Sequence, residues 1–156
     1  MKYSETELEM SYEKELLSKL LIGHLSIENK LDLMLHRLFK NEKYIKQANL
    51  RFQQKIDLIL ALELIPEKLG LYIKKLNSLR NKYAHRIDYE LTFDDAFQLA
   101  IEGNQAGLYY SDMGIWCNKD YCKKNYAVND IIFEIIYNTN FCLMNEMEKQ
   151  GFDVWY

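Results

Sequence analysis

Proline is almost missing from this chain: Pro66 stands alone among 156 residues, with only six glycines beside it. So few breakers count against a sheet built on many tight turns and favour an all-α fold. Cysteine is scarce as well. Cys117, Cys122 and Cys142 form neither a CxxC pair nor zinc-like spacing. An odd, sparse set of this kind fits a reducing cytoplasm better than a disulfide framework. Positive charge is not in excess: the formal net charge is −3 and the pI is near 5.7, so nucleic-acid binding would need a local basic patch. No run of about eighteen apolar residues occurs, which argues against a membrane span. The acidic start, MKYSETELEM, lacks the apolar segment of a signal peptide. No helix-turn-helix, zinc site or cofactor signature is found, so the expectation is a soluble, cytoplasmic protein without metal or cofactor.

What is present is an ordinary globular mixture, 49% hydrophobic and 28% charged, enough for a single domain over residues 1–156. The periodicity predicts a helix from Ser4 to about Lys40, opened by a Ser4–Glu7 capping box. Its apolar face carries Leu17, Leu20, Ile27, Leu31, Leu35 and Leu38. Gly23 inside it is a candidate bend, costing about 1 kcal/mol relative to alanine. A polar connector, NEKYIKQAN, leads to a second helix over about Leu50 to Leu64. Pro66 suits the first turn of a third, about Glu67 to Arg86. Thr92 with Asp95 makes an N-cap arrangement for a short helix from Phe93 to Ile101. Residues 103–126, rich in glycine, tyrosine and turn formers, read as loop or short helix. A last helix, about Asn129 to Gln150, turns Ile132, Ile135, Ile136, Thr139 and Leu143 inward. Together these predict an antiparallel bundle of four to five helices with a loop-rich insertion before the last one.

The stretch LNSLRNKYAHRIDYE, residues 76–90, carries the chemistry. At roughly 100° per residue, Leu69, Tyr72, Ile73, Leu76, Leu79, Tyr83 and Ile87 define one apolar face. Arg80 projects about 40° from its centre, and His85 about 140° from Arg80. Asn81 shares a ridge with His85. On the first helix, His24 and Glu28 fall inside the apolar stripe. A buried charge needs a counter-charge, so Arg80 and Glu28 are expected within hydrogen-bonding reach of each other across an antiparallel pair. His24 reads as a satisfied core histidine. A plainer reading of the motif also exists: an arginine at a helix edge lays its stem on apolar surface with its head in water, and a histidine in a last turn complements the helix dipole.

Arg80-Asn81-Lys82-Tyr83-Ala84-His85 resembles the hallmark of the HEPN superfamily, an arginine followed after four to six residues by histidine, usually with a polar residue directly after the arginine. HEPN proteins are small and α-helical, and occur widely in prokaryotic defence and toxin–antitoxin systems. The segments IGHLSIENKLDLML, FQQKIDLILALELIPEKL and LNSLRNKYAH extend the likeness to stand-alone relatives of the mannitol operon repressor family, over about residues 15 to 90. The resemblance implies a homodimer that joins through its motif helices and cleaves RNA without metal, in a toxin or phage-defence role, with an antitoxin or regulatory protein as a further partner. His85 would be the acid/base, since histidine ordinarily titrates near neutrality, and Arg80 would grip the phosphate. Asn81 would steady the histidine or bind substrate, and Glu28 would hold Arg80. Lys82 and Arg86, with Lys74 and Lys75, would supply a basic patch, while Tyr83 and Ala84 would pack. One helix aims Arg80 and His85 in different directions, so a usable site needs two copies about a two-fold axis. Ile87 stands where some toxin members carry a tyrosine, which separates this chain from that subgroup. The competing expectation is a non-catalytic regulator of the mannitol-repressor type, in which Tyr109, Tyr110, Trp116 and Tyr121 form a partner surface or simply a lid.

Overall fold

The computed structural model describes residues 5–85 and 89–152, apart from the side chains of residues 5–13. Among these residues every regular element is helical: α1 (Glu5–Leu38), α2 (Glu42–Gln47), α3 (Phe52–Ala61), α4 (Glu67–His85), α5 (Phe93–Gln105), α6 (Gly114–Cys117), α7 (Lys119–Asn125) and α8 (Val128–Lys149). The expected Ser4–Glu7 cap, Arg86 and Ile87 lie outside what is described. The all-α reading holds, and the long helices start where their local chemistry says. Thr92 Oγ1 accepts from the Asp95 backbone N–H, and the Asp95 carboxylate accepts from the Thr92 N–H, both at 3.2 Å. This reciprocal cap opens α5. Gly107 and Gly151, at φ 102° and 78°, end α5 and α8. At each end the next residue's N–H returns to a carbonyl of the last turn, Leu108 to Gly103 and Phe152 to Met147, both at 2.9 Å. Only glycine takes that left-handed position cheaply.

The core is close to the predicted one. Leu20, Ile27, Leu31 and Leu35 of α1 are buried against Phe52, Ile56, Ile59, Leu69, Ile73, Ile132, Ile135 and Leu143. The stripe on α1 drifts at its ends, where Leu38 is exposed and Leu16 and Met34 are buried. Over 34 residues the 3.6-residue period cannot keep one fixed set of positions inward.

Three expectations are corrected, and that for the 103–126 segment is met. Gly23 does not divide α1, which runs through it unbroken. A Cβ there would overlap the Ile136 side chain, so the glycine lets α8 approach closely. The NEKYIKQAN connector contains α2, none of whose residues is buried. The 103–126 segment, expected as loop or short helix, is both: α5 extends to Gln105, and the short α6 and α7 follow a stretch without regular structure. Finally, α1 and α8 run in the same direction. Lys19 lies over the Phe133 ring at 5.7 Å, Ser26 bonds Asn140 at 2.8 Å, and Arg37 lies over Phe152 at 5.8 Å. Residue numbers thus rise together along the two helices. The insertion explains part of this. Lys119 reaches back to Asp94 at the start of α5 (3.1 Å), whereas Cys142 Sγ meets the Gly107 carbonyl at its end (3.2 Å). The insertion therefore returns the chain along α5, and α8 sets out again in the direction α5 took, as a crossover connection does in a bundle.

That crossover is pinned by its own side chains. Asp112 accepts hydrogen bonds from the Tyr126 hydroxyl (2.6 Å), the Gly114 N–H (2.8 Å) and the Tyr121 hydroxyl (3.2 Å). The Tyr126 bond, then Gly114, hold the Asp112 carboxyl below its ordinary pKa. Of the four aromatics expected to form a surface, Tyr110 is fully buried and Trp116 half-buried, while Tyr109 and Tyr121 are exposed.

Candidate functional site: a histidine–asparagine–arginine cluster between α1 and α4

Arg80 points inward from α4, as its angle on the helix predicts, but it meets a different partner. Its Nη2 lies 3.3 Å from Nδ1 and 3.1 Å from Nε2 of His24. Being nearly equidistant, the guanidinium nitrogen sits over the imidazole rather than along one lone pair. Nε2 of His24 is also 2.8 Å from Oδ1 of Asn77, one turn before Arg80 on α4. An amide oxygen only accepts, so the ring carries its proton on Nε2, and Nδ1 keeps a lone pair. The far side of the imidazole stacks on Phe52 of α3, with ring centres 4.2 Å apart. His24 is 6% exposed and Asn77 5%. This burial, reinforced by the Arg80 charge and opposed by the Asn77 bond and Glu28, lowers the His24 pKa below its ordinary 6.5. His24 is therefore a satisfied core histidine, as expected, and one that orients Arg80.

The expected Arg80–Glu28 pair does not form. Glu28 Oε1 is 2.8 Å from Lys55 Nζ, which also reaches Asp32 at 2.8 Å. Lys55 comes from α3 into the space beside α1 and takes the carboxylate, while His24 fills the place facing Arg80. Glu28 Oε2 stays 4.0 Å from His24 Nδ1, beyond hydrogen-bond reach. Burial works against the Lys55 charge, but bonds and attraction from Asp32 and Glu28 outweigh it and raise its pKa. Arg80 has no carboxylate partner among the described residues, and its Nε is buried without a hydrogen bond. The crevice beside it, walled by Leu20, Ile27, Ile73 and Ile132, encloses about 10 Å³, the room of one water molecule. Any ligand for the guanidinium must come from the solvent side.

His85 ends α4, exposed and apart from this cluster. No described hydrogen bond joins Asn81 to it. With Leu71, Lys75, Ser78 and Lys82, all exposed, His85 lies on the outer ridge of α4, about 140° round the helix from Arg80. One subunit does not bring Arg80 and His85 together. The basic patch around them is thinner than expected: Lys74 pairs with Asp57, and Lys75 with Glu102. Lys82 is exposed, over the Tyr89 ring at 5.7 Å, and Arg86 is outside the described residues. Tyr83 packs as expected, edge-on to Tyr89 with its hydroxyl accepting from the Leu91 N–H at 2.8 Å. Ala84 is exposed instead of packed.

Asn77 and Phe52 are the members that sequence reasoning missed in this role. Asn77 sits three residues before Arg80 on the buried face, and a polar side chain at such a position is the signal that could have found it. Among the described residues, no group of three or more His, Cys, Asp or Glu side chains is gathered to hold a metal ion, and no helix is long and apolar enough to cross a membrane. No family model, curated protein or solved structure matches the chain in comparisons with each.

Proposed function

We propose that the chain is a HEPN-like, metal-independent endoribonuclease acting as a homodimer, in a toxin or phage-defence role. The observation that carries this reading is the state of Arg80. Its guanidinium rests on His24, which Asn77 holds by a hydrogen bond, yet no described carboxylate neutralises it. A positioned cation without a counter-charge is suited to a phosphate, which it can grip and stabilise as charge builds in the transition state. His85, exposed on the same helix, supplies the proton-transfer group that cleavage at a 2′-hydroxyl needs. Because the two residues diverge on α4, the working site takes Arg80 from one copy and His85 from the other, the two α4 helices meeting about a two-fold axis.

The test is RNA cleavage in EDTA by the wild type and by His85→Ala. Metal-independent cleavage that is lost in the variant supports the proposal, and a clean wild-type preparation that leaves RNA intact refutes it. The second reading, a helical regulator or interaction module, is favoured by one observation: Lys74 and Lys75 are tied to Asp57 and Glu102, which weakens the field that would gather RNA.

A further inference from the structure

The outer face of α8 is an aromatic stripe, about half of it open to solvent. Phe133, Tyr137 and Phe141 follow one another at intervals of four and are 50%, 58% and 48% exposed. Spacing by four keeps side chains on one side of a helix, and the Phe133 and Tyr137 rings stack 6.3 Å apart. Across the seam with α1, Lys19 lies over the Phe133 ring, and Ile22, one turn on, is 66% exposed. From this stripe we infer that a second copy of the chain docks on α8, its own α8 antiparallel and Tyr137 on the two-fold axis.

Three features favour a copy of the same chain as the occupant. The stripe reads the same in both directions about Tyr137, so an antiparallel partner sets Phe133 against Phe141 and Tyr137 against itself. An isologous interface requires that self-complementarity. The acidic residues sharing this face, Asp130 and Glu148, lie toward opposite ends of the helix. In the same register Asp130 falls opposite Met144, and Glu148 falls past the start of the partner's α8, so like charges do not meet. The size is also right. Four side chains of roughly 200 Å² each, about half exposed, offer on the order of 400 Å² of apolar surface. That is close to the apolar share, a little over half, of the roughly 800 Å² each partner gives to a stable interface. The contact uses no α4 residue and does not rest on the ribonuclease reading. A chain using this face and an α4 contact together would grow beyond a dimer, closing at four copies where the two axes cross at right angles.

The mass in solution by light scattering, with the fold checked by far-UV circular dichroism, tests the inference. Tyr137→Glu puts two like charges at the axis and should halve the mass of the assembly while leaving helicity unchanged. Tyr137→Cys, made with Cys117→Ser to remove an exposed thiol, should form a disulfide-linked dimer on air oxidation. Tyr44→Cys, at an exposed position on α2, should not. A monomeric wild type, a mass unmoved by Tyr137→Glu, or a Tyr137→Cys chain that stays uncrosslinked would each overturn it.

Discussion

Replacing His24 by phenylalanine keeps an aromatic ring against Phe52 and removes both ring nitrogens. The change leaves Asn77 Oδ1, now bonded at 2.8 Å, as a buried acceptor without its partner, at a cost of about 1–3 kcal/mol. Arg80 is partly open to solvent and can recover water, so it adds little. The pH dependence identifies the cause. The folded chain holds His24 with a lowered pKa, mainly by burial, so below the ordinary value of 6.5 the unfolded chain binds a proton that the folded chain refuses. Stability from this group is complete above pH 6.5 and falls as the pH drops from there toward the lowered value, by at most about 1.4 kcal/mol per pH unit. A phenylalanine ring does not titrate and loses nothing over that range. Urea unfolding followed by circular dichroism should therefore show the variant less stable at pH 7.5, with a smaller difference at pH 5.5. Equal stability at pH 7.5, or a difference that widens on acidification, would refute the assignment of His24 as a neutral, bonded core residue.

Gly23→Ala gains helix propensity of about 1 kcal/mol but pushes its methyl into Ile136, a β-branched side chain with little freedom to turn aside. A net loss of about 1 kcal/mol should lower the melting temperature by about 3 °C, and a rise would show that α1 and α8 can part at no cost. Lys55→Met strips the cation shared by Glu28 and Asp32 and should cost about 1–2 kcal/mol, since both carboxylates remain partly hydrated. Adding Glu28→Gln and Asp32→Asn should restore most of that loss in urea titrations, and no restoration would mean Lys55 acts through packing alone.

The helices were readable because their apolar positions recur at helical intervals and because Pro66, Thr92 and Asp95 mark their boundaries. The direction of α8 was not readable, since it depends on the crossover anchored by Asp112, Tyr121 and Tyr126, and turn-rich composition hides how such a segment is tied. Arg80 was correctly turned inward by helix angle alone. Its partner was missed because two α1 residues one turn apart, His24 and Glu28, both faced the core. Charge favoured Glu28, and only the position of Lys55 on α3 assigned that carboxylate elsewhere. For Lys74 and Lys75 the difficulty was the same: their partners, Asp57 and Glu102, lie on other helices, 17 and 27 residues away.

The divergence of Arg80 and His85 on one helix gives the most direct test of the composite site. Arg80→Ala and His85→Ala chains, each folded by circular dichroism, should both fail to cleave RNA in EDTA. Unfolded and refolded together, they should regain about a quarter of wild-type activity, because half of the dimers are mixed and each mixed dimer rebuilds one of its two sites. Wild-type cleavage with no recovery in the refolded mixture would contradict the account.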